Sequence, residues 1–118
     1  MSENEKNTEI LKGIISTFYR REYDCSPEEE DFSDPKRIPI AYGTADELED
    51  VEIQAYVDIE DNCIIREVNN EEYETLCFES ATELATYLFW ASFSELTYLE
   101  PELARMFHLK ALEKTDIA

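Results

Sequence analysis

Residues 51–59 alternate without a break. Val51, Ile53, Ala55, Val57 and Ile59 are apolar, and Glu52, Gln54, Tyr56 and Asp58 stand between them. A period of two sends successive side chains to opposite faces, so this is a half-buried β-strand with one face to a core and one to water. Such a strand needs hydrogen-bonded neighbours on its edges and a second layer over its apolar face. The rest of the chain is therefore read for strands that pair with it and helices that cover it.

A short strand precedes it, where Ile38, Ile40 and Tyr42 alternate ahead of Gly43. Pro39 has no amide hydrogen to give a ladder, so this strand is expected at an edge. Two hairpins are expected to follow. With Glu60-Asp61-Asn62 as a three-residue loop, Asn62 takes the left-handed position, Ile59 opposes Cys63 and Val57 opposes Ile65. With Asn69-Asn70-Glu71-Glu72 as a four-residue loop, Ile65 meets Leu76 and Cys63 meets Phe78 on the core face. Val68 then meets Tyr73, and Ile64 meets Cys77, on the other face. In this register both faces are partly apolar, and an N-terminal helix is expected to cover the second. The core face is expected to hold Ile53, Val57, Ile65, Leu76, Phe78, Leu84 and Leu88.

That N-terminal helix is expected over 5–23. Ile10, Leu11, Ile14, Ile15, Phe18 and Tyr19 form one stripe at helical spacing, with Glu5 and Glu9 near its start and Arg20 and Arg21 near its end. Asn7 or Thr8 is the expected cap. Residues 24–36 form an acidic linker with two prolines, five acids in its centre and one large apolar residue, Phe32, and are expected to be loop or disordered and mobile. Ser80-Ala81-Thr82-Glu83 is a capping box that opens a helix buried through Leu84, Tyr87, Leu88 and Ala91, and Ser92 to Glu95 repeats the pattern. Pro101 suits the first turn of a last helix, in which Leu103, Met106, Phe107 and Lys110 share a face. The expected fold is α+β: an antiparallel meander of about four strands with an N-terminal helix and two C-terminal helices. All of it belongs to one domain, 1–118, with the sheet and its helices over 37–115.

Composition bounds the function. The 118 residues carry 29 Asp and Glu against 10 Lys and Arg, a net charge of −19. A surface so acidic does not bind nucleic acid or anionic membrane by charge. The N-terminus lacks the basic start and apolar run of a signal peptide, and no stretch is long enough to span a membrane. Cys25, Cys63 and Cys77 are odd in number with no short spacing, which fits reduced thiols in the cytoplasm better than a disulfide framework or a zinc site. The two glycines stand apart, so there is no phosphate-binding loop. His108 is the single histidine and reads as a half-packed surface residue. Asp58, Glu60 and Asp61 lack the spacing of a calcium loop. No catalytic residue, metal or cofactor is expected, and the chain is not read as an enzyme.

Acids cluster at 22–34, 46–52, 58–61 and 71–74. Carboxylates in a row can imitate the phosphates of a duplex, which present one charge per about 1.7 Å of axis. The candidate partner-binding residues are Glu52 and Asp58 on the polar side of the strand, with Glu28, Glu29, Glu30 and Asp31 as a flexible extension.

Residues 37–42 (Arg-Ile-Pro-Ile-Ala-Tyr), 52–59 (Glu-Ile-Gln-Ala-Tyr-Val-Asp-Ile), 64–69 (Ile-Ile-Arg-Glu-Val-Asn), Tyr73 and the helix start Ser80-Ala81-Thr82-Glu83-Leu84 resemble a family of small acidic accessory domains. These accompany or form part of large polyvalent proteins on conjugative and phage-like elements of Gram-positive gut bacteria. The likeness covers residues 37–99 and assigns no functional residue. It implies a protein acting on the nucleic-acid machinery of host or element, by analogy with acidic inhibitors of CRISPR or restriction nucleases. The expected partner is thus a basic, nucleic-acid-handling protein. The alternative is a structural or assembly module that self-associates or docks through apolar helix faces.

Overall fold

A computed structural model describes residues 3–45 and 48–116. The elements run α1 (Glu3–Tyr23), a single 3-10 turn (Glu29–Phe32), β1 (Ile38–Ala45), β2 (Leu48–Asp58), β3 (Cys63–Val68), β4 (Glu71–Cys77), α2 (Ala81–Trp90), α3 (Phe93–Thr97) and α4 (Pro101–Asp116). The strands form one antiparallel sheet in the order β1-β2-β3-β4. This is the α+β meander that the alternation and the caps imply, with Pro39 on an edge strand.

The register differs from the expected one, and the difference reassigns the faces. Asp58 pairs with Cys63 and Val57 with Ile64, so the connection between β2 and β3 has four residues, 59–62. The cause is the Asp58 side chain. Its Oδ1 accepts the backbone N–H groups of Glu60 and Asp61, each at 3.0 Å, and folds the turn one residue earlier. Asn62 still takes the left-handed conformation, at φ 56°. Between β3 and β4 the turn is only Asn69-Asn70, both left-handed at φ 52° and 66°, as a twist-matched two-residue hairpin requires. Val68 therefore pairs with Glu71, Ile64 with Leu76 and Cys63 with Cys77, and a bulge follows Arg66.

A slip of one residue exchanges every side chain's face. The core face of β3 consequently carries Ile64, Arg66 and Val68, and Ile65 moves to the opposite face. Ile53, Val57, Leu84 and Leu88 are fully buried as expected, while Leu76 and Phe78 are half-buried. A second bulge, in β1, buries both Ile40 and Ala41 and turns Tyr42 out to solvent.

Two apolar clusters lie side by side on the core face. In the larger, Leu11, Ile15 and Phe18 of α1 meet Leu84 and Leu88 of α2 over Ile38, Val57 and Ile64. In the smaller, Leu99 and Ala104, with Leu103 and Phe107 of α4 against them, cover Val51, Ile53 and Val68. Thus α1 lies beside α2, not on the second face as expected. Once Ile64, Val68 and Leu76 are on the core face, the other face has too little apolar surface to hold a helix. Among the described residues it stays open, with Tyr42, Gln54, Tyr56, Ile65, Glu67 and Cys77 along it.

Other boundaries shift with physical reasons. The first helix starts at Glu3, so Asn7 and Thr8 lie inside it, and it ends where Asp24 turns left-handed and donates its N–H to Arg20 O. Ser80 and Ser92 cap α2 and α3 by accepting from Glu83 N and Glu95 N. Arg21 reaches from α1 to the carbonyls of Leu88, Phe89 and Ala91 at the far end of α2, joining the two helices. On α4 the buried side is Ala104 with Leu103 and Phe107; Met106 and Lys110 are exposed, against the expectation that all four large residues share a face.

Helix α1 is fastened to the edge strand by two phenols. Tyr19 Oη donates to Pro39 O and Tyr23 Oη to Ile40 O. Burial pushes both phenols from their ordinary value of 10.0 to about 12. Because the folded-state value lies above the unfolded one, this stabilisation is fully present below pH 10.0 and is lost as the pH rises through about 12. Urea unfolding followed by circular dichroism should show stability declining across that window. The Tyr19→Phe, Tyr23→Phe double variant should flatten the decline, and an equally steep one in the variant would remove these phenols from the account.

Candidate functional site

The candidate residues fall at two ends of the sheet. Asp58 lies six residue steps along the strand from Glu52, about 20 Å at roughly 3.3 Å per residue. Gln54 and Tyr56 stand between them on the same face, so the carboxylates make two patches and not one row.

At the first end, residues 24–36 run as the expected loop, broken by the 3-10 turn Glu29–Phe32. Glu28 Nα donates to Asp31 Oδ2 at 2.9 Å and opens the 3-10 turn. Phe32 is half-buried against the larger core, with the Lys12 ammonium 5.6 Å above its ring. Pro35 O accepts the amide of Ile59, tying the segment to the β2–β3 turn. Glu28, Glu29 and Glu30 are exposed and Asp31 is half-buried. Exposed Glu60 and Asp61 lie on that turn, joined to Lys36 Nζ at 3.4 and 3.6 Å.

Asp58 does not belong to the accessible surface. It is 6% exposed, and its carboxylate is occupied by the two turn amides. Its expected role in partner binding is replaced by a structural one.

At the second end, Glu52 is half-exposed and lines an open cleft of about 290 Å³. The cleft lies between the β3–β4 turn and α4, with Asp50, Glu71 and Asn70 on the sheet side and Phe107 and Lys110 on the helix side. Glu52 N donates to Asn69 Oδ1 at 2.9 Å, and Asn69 N donates to Glu52 O, which locks the strand to the turn. Glu52 also accepts a hydrogen bond from Tyr42, whose phenol is held above its ordinary range by that bond and that charge. Asp50 holds His108 Nδ1 at 2.8 Å, the half-packed setting expected for the single histidine. Asp46 and Glu47 of the 46–52 acid cluster lie outside the described residues.

Between the ends, Arg37 and Glu67 form the most specific ion pair of the open face. Two N–H···O bonds of 2.8 and 3.2 Å join them, and the guanidinium sits 4.1 Å from the Tyr56 ring centroid. The hydrogen bond from Arg37 lowers the Glu67 carboxyl despite its burial. Sequence reasoning missed Asp50, Glu71 and this pair. The acid clusters at 46–52 and 71–74 were visible, but only the true register sets them around one cleft.

Among the described residues no group of three or more metal-ligating side chains is assembled, and no helix is long and apolar enough to cross a membrane. No protein-family model matches the chain, and neither curated proteins nor solved structures supply a similar one.

Proposed function

We propose that this chain is a non-enzymatic acidic interaction protein of a mobile genetic element, acting in the cytoplasm on a basic, nucleic-acid-handling protein. Its mode is occupation of a nucleic-acid site, as an inhibitor of a host-defence nuclease of the CRISPR or restriction type would do. The observation that carries this reading is the placement of the charge. Within a chain of net charge −19, eight of the 29 acids gather near the two ends of the sheet: Glu28, Glu29, Glu30, Glu60 and Asp61 at one, and Asp50, Glu52 and Glu71 at the other. On the face that is helix-free among the described residues, Gln54 and Tyr56 stand along β2 between Glu52 and the 59–62 turn, with Tyr42 beside Gln54. A basic surface lying along that face would meet Glu52 at one end and the turn acids Glu60 and Asp61 at the other, and the cleft around Glu52 has room for a lysine or arginine side chain.

The second reading is an assembly module. It is favoured by Met106, Leu109 and Leu112, an exposed apolar row on α4, and by exposed Phe89 and Trp90 at the end of α2. Salt separates the two, since exposed charges are screened over about 10 Å at 0.1 M whereas apolar contacts are not. A partner captured from bacterial lysate at low salt should be released at high salt. Replacing Glu28, Glu29, Glu30, Glu52 and Glu71 by Gln should slow its association and flatten the salt dependence, because charge acts mainly on the on-rate. Unchanged association and an unchanged salt slope in the five-fold variant would retire the charge-led reading. Asp50 is left intact so that its bond to His108 does not confound the result.

A further inference from the structure

Cys63 and Cys77 are direct partners across β3 and β4. Phe78 N donates to Asn62 O at 3.0 Å, so the neighbouring pair 62/78 carries the ladder bond and 63/77 is a non-hydrogen-bonded pair. At such a pair the two Cα atoms approach to about 4.5 Å and the side chains are closest, within the span of about 4.4–6.8 Å that a disulfide needs. The sulfurs are already in contact. Cys63 Sγ lies 2.8 Å from Cys77 Sγ and 3.2 Å from Asp61 O, two alternative acceptors for its single proton. Both cysteines lie on the open face, over which no helix stands among the described residues. Cys77 is exposed and Cys63 is buried behind it.

We propose that Cys63 and Cys77 form a thiol–disulfide exchange site, which takes a low-molecular-weight disulfide such as oxidised glutathione and closes to a cross-strand disulfide. Cys77, the accessible sulfur, loses its proton and attacks one sulfur of the glutathione disulfide. The glutathione S–S bond breaks, one glutathione leaves and takes up a proton, and a mixed disulfide remains on Cys77. Cys63 then loses its proton, attacks the Cys77 sulfur and displaces the second glutathione. Two protein thiols are oxidised by two electrons, and one glutathione disulfide is reduced to two thiols. Burial, the bond to Cys77 and the carboxylates of Asp58 and Asp61 push the Cys63 thiol up to about 12. Because Cys63 is buried behind the exposed Cys77, the small disulfide reaches Cys77 first, and contact between the two sulfurs makes the second step intramolecular with Cys63 as the resolving sulfur. Closure turns the β3–β4 hairpin into a covalent ring beside the 59–62 turn. The site does not depend on the charge-led function above.

The test exposes the full chain to graded ratios of oxidised to reduced glutathione, quenches with acid, alkylates and maps the cysteines by mass spectrometry. Two of the three alkylatable thiols should disappear together, with the β3 and β4 peptides linked, and reduced glutathione should restore both. Exposed Cys25 serves as the internal reference, ending alkylated or as a simple mixed disulfide. Early quenching should trap glutathione on Cys77 ahead of the link, and Cys63→Ser should leave it there permanently. The early quench is read on the unaltered chain, so it stands even where Cys63→Ser fails to fold. A lasting mixed disulfide on Cys77 with Cys63 still alkylatable would overturn the proposal. So would a link that involves Cys25, or a Cys77 left unmodified where Cys25 reacts.

Discussion

Leu88→Ala should destabilise the protein by about 2–5 kcal/mol, the range for deleting a fully buried leucine when the surroundings collapse only in part. Leu88 is 0% exposed and shares its cluster with Phe18, Val57 and Ile64, so three elements lose contacts at once. Against a typical total of about 5–15 kcal/mol, that loss leaves a substantial unfolded fraction. Two residues along the same helix, Trp90 is 76% exposed, and Trp90→Ser should move stability by no more than about 0.5 kcal/mol. Urea denaturation of the two variants reads the orientation of α2 directly. Comparable losses, or a larger one for Trp90→Ser, would mean that α2 presents a different face to the sheet.

What the sequence made legible was what local chemistry decides. The alternation over 51–59 reports burial on one side of a strand, and the Ser-x-x-Glu pairs report helix starts; both hold in the structure. The left-handed Asn62 was also legible, because a tight hairpin demands it. Register was not, since Cys63, Ile64 and Ile65 are consecutive apolar residues and either parity offers a plausible core face. Matching apolar to apolar favoured Ile65 and kept Arg66 out of the core. The structure takes the other parity because Asp58 turns into the chain to hold two amides, and because Arg66 finds acceptors far away in sequence. From that one slip follow the open face, the position of α1 beside α2 and the juxtaposition of Cys63 with Cys77. The candidate site was legible only as composition. Glu28, Glu29, Glu30 and Glu52 do face solvent, but Asp58 does not, and the cleft needs Asp50, Glu71 and α4, brought together by the fold.

Arg66→Met should cost about 1–3 kcal/mol, the range for leaving a buried acceptor without its donor. Arg66 is 9% exposed although it projects from the core face of β3. Its guanidinium sits 5.2 Å from the Tyr73 ring centroid, donates through Nε to Leu96 O at 3.2 Å and through a terminal nitrogen to Tyr98 O, and bonds Glu74 at 3.1 Å. The two carbonyls lie at the end of α3, a helix of five residues, too short to be stable by itself. Methionine keeps the stem and its packing but leaves both carbonyls without their donor. Arg66→Lys keeps the charge and offers a single ammonium in place of the fork, so it should fall between wild type and Arg66→Met. Glu74→Gln removes only the half-exposed end of the pair and should cost less than about 1 kcal/mol. Urea denaturation ranks the three variants, and amide exchange locates the damage, which should concentrate in 93–100 before it reaches β2. An Arg66→Met protein as stable as wild type, with unchanged exchange over those residues, would show that α3 is held by Leu96 packing alone and that the guanidinium is dispensable.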